Sequence, residues 1–374
     1  MSTVRSALIV GGGIAGMCAA IELRKRGVEV DLVELDPEWR VYGAGITVSA
    51  PSLRAFQKVG VLDSILAQGA ASDGLDLFLG NGKQLASIPA MAAAGSSVAA
   101  SAGIVRPVLA RILSEATRAC GARVHLGTTF SSLISGDRDA EVSLTNGTTR
   151  RYDLVIGADG INSKVRTALF PDAPKPRYTG QVCWRAVVPR PASMRRAAMY
   201  IGGQIKAGIV PVSNDEMYLF FLETRATPEH IDAQQWPELL RKALAEFTGP
   251  IADIRQGLSA ESKIVYRPLF ALMMRKPWHA GRTVLIGDAA HATTPHLASG
   301  AGLAVEDALV LAEELEREPS CEEAIHRFTE RRYERCRSVV ENSVRLGEIE
   351  QRGGSPQEHE KLMRDSTIAL AAPY

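Results

Sequence analysis

Three short segments of this chain carry residue types and spacings that could do chemistry, and the first could hold a dinucleotide. Residues 11–16 read Gly-Gly-Gly-Ile-Ala-Gly and fit the pattern GxGxxG. Glycines there let the backbone approach a pyrophosphate, and the start of a following helix supplies N–H groups and partial positive charge. The acidic residue Glu34, at the end of the next predicted strand, can bind both hydroxyls of a ribose. The predicted contacts of this dinucleotide, NAD or FAD, are Gly11, Gly13, Ile14, Ala15, Gly16 and Glu34.

The second segment, residues 284–291, places a carboxylate at a strand end far along the chain. It reads Val-Leu-Ile-Gly-Asp-Ala-Ala-His, so that Gly287 and Asp288 follow an apolar run. Ligands of open α/β sheets bind at the carboxyl ends of the strands, and Asp288 could bind the hydroxyls of a ribityl chain there. A simple NAD dehydrogenase has no need of this second acidic strand end. The two segments together therefore favour FAD.

The residues after Asp288 are arranged to stabilise negative charge. Pro295 and the glycine-rich run 298–302 lead into a predicted helix, whose N–H groups would point at a ligand there. A helix N-terminus stabilises an anion by about 0.3 to 1 kcal/mol when exposed and about 2 kcal/mol when partly buried. A flavin ring in this place would accept a hydride more readily. His291 is interpreted as structural, because a histidine just past a strand end more often caps or packs.

The elements that must position these residues begin with a strand, a helix and a second strand, with Gly27 as the helix stop. Two later strand patterns end in Gly157–Gly160, the third segment, and in Gly287–Asp288, and both are expected to join the same sheet. The predicted elements of this sheet are Val4–Val10, Ile14–Arg26, Val28–Glu34, Tyr152–Ile156 and Arg282–Ile286.

A second, antiparallel sheet is predicted from strands that follow one another without intervening helices. The patterns at Gln181–Val188, Gln204–Val210 and Met217–Leu222 alternate or are rich in β-branched and aromatic residues. Residues 75–79 and 83–88 flank Asn81–Gly82 and predict a hairpin.

Helices and one long loop complete the expected organisation. Ser52 is expected to cap a short helix through Lys58, and Pro107 to begin a helix that reaches Cys120. Residues 89–103, rich in Ala, Gly and Ser, are expected to form a mobile loop. Two helices, Leu303–Glu316 and Cys321 to about Glu350, close the chain. The second carries arginines interspersed with glutamates, which is typical of a solvated helix face rather than a nucleic-acid contact; these arginines are Arg327, Arg331, Arg332, Arg335 and Arg337.

The fold class that follows is α/β, with a Rossmann-like FAD-binding domain, an interleaved antiparallel-sheet substrate domain and a C-terminal helical segment. The discontinuous FAD-binding domain is predicted at residues 1–72, 97–175 and 269–319. The substrate domain is predicted at residues 73–96 and 176–268, and the helical segment at residues 320–374.

Composition restricts the function classes. The chain has 374 residues, 46% of them apolar, and a net charge of +1, which gives no field that would attract nucleic acid or an anionic membrane. Glycines interrupt the apolar run 7–23, so it is interpreted as strand, turn and helix rather than a membrane span. An odd number of scattered cysteines fits neither a disulfide framework nor a metal site. We expect a soluble, cytoplasmic monomer or homodimer with buried thiols at Cys18, Cys120, Cys183, Cys321 and Cys336.

With these motifs in this order, the chain resembles the single-component FAD-dependent aromatic hydroxylases, the flavoprotein monooxygenases with the p-hydroxybenzoate hydroxylase type of fold. Within that family it resembles the salicylate and pyridine-ring hydroxylases. The family's Asp-Gly motif falls on Asp159–Gly160, its Gly-Ala-Gly-Ile loop on residues 43–46 with Arg40 before it, and its FAD-contacting arginine on Arg106. The resemblance implies that Asp159 serves both FAD and pyridine-nucleotide binding and that Asp288 binds the ribityl chain. It also implies that the flavin ring is contacted by Pro295, Gly300, Ala301 and Gly302.

The resemblance also implies the reaction: hydroxylation of a small aromatic or heteroaromatic, acidic substrate with NADH or NADPH and O2, through a flavin C4a-hydroperoxide. Lys206 and Tyr218 flank the turn Ser213–Asp215 at an even spacing, which places them on one face of two neighbouring strands. Tyr218 lies in a strand that resembles one carrying a substrate-contacting tyrosine. The predicted substrate contacts are Lys206, Tyr218, Arg185 and Thr47.

Two points stay open. Some relatives place a histidine that acts as a base where Thr47 stands, so the general base is unassigned. The alternatives are another FAD-dependent oxidoreductase of this fold, such as a halogenase, or a flavin-binding protein without turnover. The run Trp184–Pro189 is similar to the halogenase Trp-x-Trp-x-Ile-Pro box, but Ala186 replaces its second tryptophan.

Overall fold

We describe the chain from a computed structural model, in residues 3–72, 74–89, 98–191, 194–202 and 205–374. Its secondary structure is mixed, and the strands in chain order are β1 (Ser6–Val10), β2 (Glu29–Glu34), β3 (Gly45–Ser49), β4 (Ala70–Ala71), β5 (Gly74–Leu79), β6 (Gln84–Pro89), β7 (Ser101–Val105), β8 (Arg123–Leu126), β9 (Phe130–Ser135), β10 (Ala140–Leu144), β11 (Thr149–Tyr152), β12 (Leu154–Gly157), β13 (Arg177–Pro189), β14 (Ala197–Gly202), β15 (Ile205–Pro211), β16 (Glu216–Thr224), β17 (Ile264–Ala271), β18 (His279–Ala280) and β19 (Thr283–Leu285).

The helices flank these strands and dominate the end of the chain. They are α1 (Ile14–Lys25), α2 (Ala50–Val59), α3 (Leu62–Gln68), α4 (Arg106–Ala119), α5 (Lys164–Leu169), α6 (Trp236–Ala243), α7 (Pro250–Gly257), α8 (Asp288–His291), α9 (Gly300–Arg317), α10 (Cys321–Gln351) and α11 (Pro356–Ala371). Within the described residues, no helix is both long and apolar enough to cross a lipid bilayer.

The first sheet has six strands in the order β18-β19-β12-β1-β2-β8. All of its pairs are parallel except the edge pair β18–β19. Apolar side chains of the central strands, such as Leu8, Leu32 and Ile156, are completely buried, as expected for a parallel sheet covered on both faces. The predicted βαβ opening and the return of two later strands to the same sheet are confirmed. The carboxyl ends of β1, β12 and β19 therefore lie side by side.

The second sheet has seven strands in the order β17-β13-β16-β15-β14-β5-β6. Its pairs are antiparallel, apart from β14 with β5. The predicted hairpin is present as β5 and β6 and extends this sheet. The α/β fold class, with a parallel sheet, a separate antiparallel sheet and C-terminal helices, is confirmed.

Two local predictions are wrong. The helix expected from Ser52 begins two residues earlier as α2, and Ser52 is a buried packing residue. The two ends of the expected loop 89–103 belong to strands: Pro89 ends β6, and residues 101–103 begin β7, which pairs with β3. The small residues of β7 fit because a Cβ at Gly103 would overlap the carbonyl of Pro211. Residues 90–97 of that loop lie outside the described part.

The expectation of a solvated arginine face on α10 is also wrong for Arg332. Its side chain is fully buried between α9 and α10, 2.8 Å from Glu306 and 2.8 Å from Asp307. Arg327 follows the expectation and pairs with Glu323 one turn away. The sequence around Arg332 does not distinguish it from Arg327. The difference arises because the partners of Arg332 lie on another helix, α9, and not on α10. Six helices of the described chain were not predicted: α3, α5, α6, α7, α8 and α11.

The cysteines follow the expectation in part. All five are free thiols; Cys18, Cys183, Cys321 and Cys336 are buried, whereas Cys120 is half-buried.

Candidate active site

A cavity of about 810 Å³ lies between the carboxyl ends of the parallel strands and one face of the second sheet. Its size is within the range of cofactor and substrate sites. Gly13 and Asp288 line it from the parallel sheet, and Arg185 and Tyr218 line it from the second sheet. The cavity therefore brings residues of the first two chemical segments and the predicted substrate residues to one place.

The glycine turn contributes its open side to this cavity. A Cβ at Gly13 would meet nothing within 4 Å, and Gly13, Ile14 and Ala15 line the cavity at the N-terminus of α1. Gly11 and Gly16 face inward. Gly11 has φ of +108°, and a Cβ on either residue would overlap a backbone carbonyl, of Ala158 and of Gly11 respectively. Gly13 thus leaves room for a ligand, while the other two glycines let the turn close.

Glu34 serves the backbone of this turn in the structure. Its two carboxylate oxygens accept hydrogen bonds from the N–H of Gly12 at 2.7 Å and of Asp36 at 2.8 Å. Trp39, which the sequence analysis missed, donates its indole N–H to the Gly12 carbonyl at 2.8 Å. Arg40 is half exposed, pairs with Asp36 and is not among the residues that line the cavity.

Asp159 caps a helix. Its carboxylate accepts hydrogen bonds from the Ser163 hydroxyl, from the N–H of Lys164 at 2.7 Å and from the N–H of Val165 at 3.1 Å, at the start of α5. Its neighbours Ala158 and Gly160 line the cavity, but Asp159 itself does not. Arg166 is buried and donates to the Ala289 carbonyl at 2.9 Å, which ties this segment to the one that holds Asp288.

Asp288 begins α8, and its carboxylate faces the cavity. The side chain is open to the cavity, but the protein around it partly desolvates the carboxylate and raises its pKa, against the opposing effect of His291 and Arg106. Within the described residues, the Asp288 carboxylate accepts no hydrogen bond. Gly287 before it adopts φ of +59°, and a Cβ there would approach the Ala15 side chain at 2.9 Å, so glycine is needed where the two motifs meet.

The turn at Gly287 is held from behind by a buried carboxylate, Asp307 of α9. Asp307 accepts hydrogen bonds from the Gly287 N–H at 2.8 Å and the Arg332 guanidinium at 2.8 Å, and it lies 2.6 Å from the His291 ring nitrogen Nε2. Burial opposes the charge on both partners, but Cys336 and the Asp307 carboxylate raise the pKa of His291 well above its usual value. His291 is therefore part of the support of Asp288, consistent with a structural interpretation.

Arg106 faces the cavity from the start of α4. Its aliphatic stem lies against Gly43, where a Cβ would come within 2.6 Å of it. Burial lowers the pKa of Arg106 and Arg185 acts in the same direction, while Asp288 opposes them. Pro295, Gly300 and Ala301 line the cavity near the N-terminus of α9, but Gly302 faces the Ser52 side chain instead.

The second sheet contributes Tyr218 and Lys206 on one face. Val210 stands opposite Tyr218 and Leu222 opposite Lys206, so the two residues lie on neighbouring strands but four residue pairs apart along the ladder. Both line the cavity, as does Arg185. The Tyr218 hydroxyl lies 2.9 Å from the Thr47 hydroxyl, and a Cβ at Gly45 would overlap the Tyr218 ring. Thr47 and Tyr218 thus form one polar corner of the cavity.

Lys206 is already paired. Its ammonium contacts Glu350 of α10, which the sequence analysis did not single out. Two further residues that it missed, Thr294 and His296, line the cavity beside this pair. No sequence signal could have linked Glu350 to Lys206, because they are separated by 144 positions and meet only when α10 crosses the second sheet.

Comparisons with known proteins agree with this geometry. A family model described as an FAD binding domain matches residues 5–343. The chain is 35% identical over 308 residues, 82% of this chain and 79% of the relative, to 2-heptyl-3-hydroxy-4(1H)-quinolone synthase of Pseudomonas aeruginosa strain UCBPP-PA14. It is 30% identical, over 81% of this chain and 80% of the relative, to 6-hydroxynicotinate 3-monooxygenase of Pseudomonas fluorescens.

A solved structure shows the same fold. Klebsiella pneumoniae HpxO, complexed with FAD and uric acid, superposes with a TM-score of 0.85 at 22% identity, over 98% of this chain and 94% of that chain.

Proposed function

The chain belongs to the FAD-dependent aromatic monooxygenases, whose FAD binding domain its residues 5–343 match, and from this premise we propose that it uses NAD(P)H and O2 to hydroxylate a small, acidic aromatic or heteroaromatic ring. Bound FAD would supply the redox chemistry, accepting a hydride from the nicotinamide and activating oxygen. The protein's part is to hold the flavin, orient the ring and exclude water.

The residues of the cavity fit FAD. Gly13 leaves open space at the N-terminus of α1, where the pyrophosphate would meet free N–H groups. The Asp288 carboxylate accepts no hydrogen bond from the described residues, so it is free to accept hydrogen bonds from the hydroxyls of a polyol chain. Arg106 lines the same cavity, and we assign it to the cofactor. Glu34 already accepts hydrogen bonds from two backbone N–H groups, so any bond to a ribose hydroxyl would be additional to these.

The positive charge of the cavity is the observation that supports an acidic substrate. Arg106 and Arg185 line it, and within the described residues neither forms an ion pair with a carboxylate. A guanidinium presents a planar fork that matches a carboxylate, and it pays a desolvation cost when it is left without one. With Arg106 assigned to FAD, Arg185 is the cation left for the substrate.

The rest of the sheet-side wall is suited to a flat ring. Phe220, Val210, Leu222 and Leu269 line the cavity beside Tyr218. This apolar surface would exclude water from the reacting atoms, while the Tyr218 hydroxyl, held by Thr47, offers one directed polar contact. Lys206 is a weaker candidate for the substrate than Arg185 because Glu350 already neutralises it.

The same apolar wall supports a second candidate substrate, a bicyclic ring that carries an alkyl chain. The relative from Pseudomonas aeruginosa is named for a product of this kind, an alkylated hydroxyquinolone. Leu75 and Ile88, from the β5–β6 hairpin, extend the apolar lining away from Arg185 and would contact such a chain.

The halogenase alternative loses its sequence support. Trp184 is fully buried in the core on the other face of the second sheet, where it packs on Tyr266 and donates to Glu223 at 2.9 Å. It has no contact with the cavity through which a halogenase tryptophan box could act.

The test is a screen of the FAD-loaded protein for compounds that stimulate NAD(P)H oxidation in air. Matched pairs of aromatic acids and their amides separate a charge-dependent site from an apolar one, and 4(1H)-quinolone with and without a 2-alkyl chain tests the second candidate. We expect acids to stimulate oxidation and the amides to fail, and Arg185→Gln to abolish the difference. Stimulation by the alkylated quinolone alone would select the second candidate, and the absence of stimulation by every ring would contradict the proposal.

A further inference from the structure

Behind the cavity lies a group of polar residues that the proposed function does not use. Thr294 and His296 line the cavity, and Glu350 and His359 stand behind them on α10 and α11. We call these four residues the polar chain. It runs from the cavity wall to the surface.

The distances in the polar chain are continuous. The Thr294 hydroxyl lies 2.9 Å from His296 Nδ1. On the other side of the ring, His296 Nε2 lies 3.4 Å from one carboxylate oxygen of Glu350; this is a charge contact rather than an aligned hydrogen bond, and it needs a small rotation of either side chain to carry a proton. The second oxygen of Glu350 lies 3.1 Å from His359 Nε2 and also contacts the Lys206 ammonium. A hydroxyl, an imidazole and a carboxylate in this order form the arrangement that other enzymes use to remove a proton from an oxygen.

Burial changes stepwise along the polar chain. The His296 side chain is 1% exposed, that of Glu350 15% and that of His359 29%. Gly347, one turn before Glu350, makes the approach possible, because a Cβ there would lie 3.0 Å from the His296 ring. The inner end therefore meets only the cavity, and the outer end meets solvent.

Electrostatics set the resting state. Burial opposes ionisation of Glu350, but Lys206 and the two histidines more than offset this and hold its pKa below the usual range. Burial lowers the pKa of His296; Glu350 opposes this effect, and Lys206 and His359 reinforce it. Near neutral pH, His296 is thus a neutral imidazole beside a carboxylate. The Glu350 carboxylate faces Nε2 and favours the tautomer that carries the ring proton there, which leaves Nδ1 to accept a hydrogen bond from the Thr294 hydroxyl.

We propose that the polar chain is the proton acceptor of the reaction, taking the proton of a ring hydroxyl or ring N–H through Thr294 to His296 and releasing it at His359. This inference rests on the proposed function, and it deepens it by supplying the base that Thr47 cannot provide. Ionisation makes the ring electron-rich, which favours the transfer of an oxygen atom to it.

The step balances without an oxidant. The substrate O–H or N–H bond breaks and its proton goes to the Thr294 oxygen, while the original Thr294 hydroxyl proton forms a new N–H bond at His296 Nδ1. The substrate becomes an anion and His296 an imidazolium, which Glu350 stabilises. Loss of the Nε2 proton by way of Glu350 and His359 to water restores the neutral ring, with its remaining proton on Nδ1. Return of that proton to Nε2 by ring rotation or through solvent resets the chain.

The first experiment needs no substrate. Histidine ¹⁵N NMR of the FAD-loaded protein should show His296 with its proton on Nε2. Its titration midpoint should move down in Glu350→Gln, which removes the neighbouring anion, and up in Lys206→Met, which removes the neighbouring cation. Shifts of opposite sign require that His296 lies beside both Glu350 and Lys206, as the polar chain demands, and the kinetic experiment below separates a relay from packing. A proton on Nδ1, or a midpoint that neither variant moves, would overturn the proposal; if Glu350→Gln does not fold, the Lys206→Met shift alone decides.

The second experiment uses the ring compound that the oxidation screen selects. His296→Asn and Thr294→Val should lower kcat by about 10²-fold to 10⁴-fold with FAD content unchanged, and the acid limb of the wild-type pH profile should shift with the two charge variants as in the first experiment. His230→Asn makes the same chemical change at an exposed site and should keep the wild-type kcat. Unchanged kcat in His296→Asn would refute the relay while leaving the monooxygenase assignment intact.

Discussion

The Tyr218 hydroxyl is a polar group held in a fixed place on the substrate side of the cavity. Thr47 lies 2.9 Å from it, the missing Cβ of Gly45 makes room for its ring, and burial raises its pKa. A neutral phenol in a fixed place can orient a ring by one directed hydrogen bond. Orientation of this kind decides whether oxygen reaches the ring or is lost.

Tyr218→Phe removes only this hydroxyl, so we predict uncoupling. NAD(P)H consumption should continue near the wild-type rate while H2O2 replaces a large part of the hydroxylated product, measured by peroxide assay against product yield. Tyr200→Phe is the matched control, because Tyr200 is buried in the core on the other face of the same sheet and packs on Phe78. Equal coupling in Tyr218→Phe and the wild type would remove Tyr218 from the substrate site.

Single residues could be predicted from the sequence where a local motif defines their role. Asp288 follows a strand end, and the even spacing of Lys206 and Tyr218 fixes their common face. His296 and Glu350 could not be found this way, since their relation depends on where α10 crosses the second sheet. The same reason hid the pairing of Lys206.

The turn before α1 offers a test at the scale of an element, because its glycines have different tasks. Gly13→Ala adds a methyl group that meets no protein atom within 4 Å but occupies the ligand side, whereas a Cβ at Gly16 would overlap the Gly11 carbonyl. We predict that Gly13→Ala keeps the wild-type thermal stability and weakens FAD binding by about tenfold or more, equivalent to about 1.4 kcal/mol. Gly16→Ala should lower thermal stability. Normal FAD affinity in Gly13→Ala, by fluorescence titration, would place the cofactor elsewhere.

The contact of α9 with α10 depends on a buried ion-pair cluster. Arg332→Met leaves Asp307 and Glu306 buried without their guanidinium, and breaking such a cluster costs about 3 to 5 kcal/mol. Denaturant unfolding should show this loss. Arg327→Met, on the same helix, removes only an exposed pair with Glu323 and should unfold near the wild-type midpoint. Similar midpoints for the two variants would contradict the structural role of Arg332.

At the element scale, periodicity and turn residues predicted nine of the nineteen described strands and five of the eleven described helices. They failed where tertiary packing decided the outcome. β7 is built from small residues that would otherwise predict a loop, and it exists because Gly103 can lie against the Pro211 carbonyl. A 31-residue helix such as α10 can also bury one arginine and expose the next, which composition does not distinguish.

At the scale of the whole molecule, the site requires both sheets, because each forms one side of the cavity. The parallel sheet brings Gly13 and Asp288 to one side of the cavity, and the antiparallel sheet brings Arg185 and Tyr218 to the other. The C-terminal helices close the arrangement, since α9 supports Asp288 through Asp307 and α10 places Glu350 behind the cavity. The cofactor side and the substrate side of the site therefore come from separate layers of the fold.

The measurement that tests this account most directly is isotope incorporation by the FAD-loaded protein. The protein is incubated with NAD(P)H, ¹⁸O2 and the aromatic acid that best stimulates oxidation, and the product is analysed by mass spectrometry. We predict a product that has gained one labelled oxygen atom, none when the label is supplied as water, and loss of this product in Arg185→Gln while FAD remains bound. Oxidation of NAD(P)H with no labelled ring product from any acid would contradict the account.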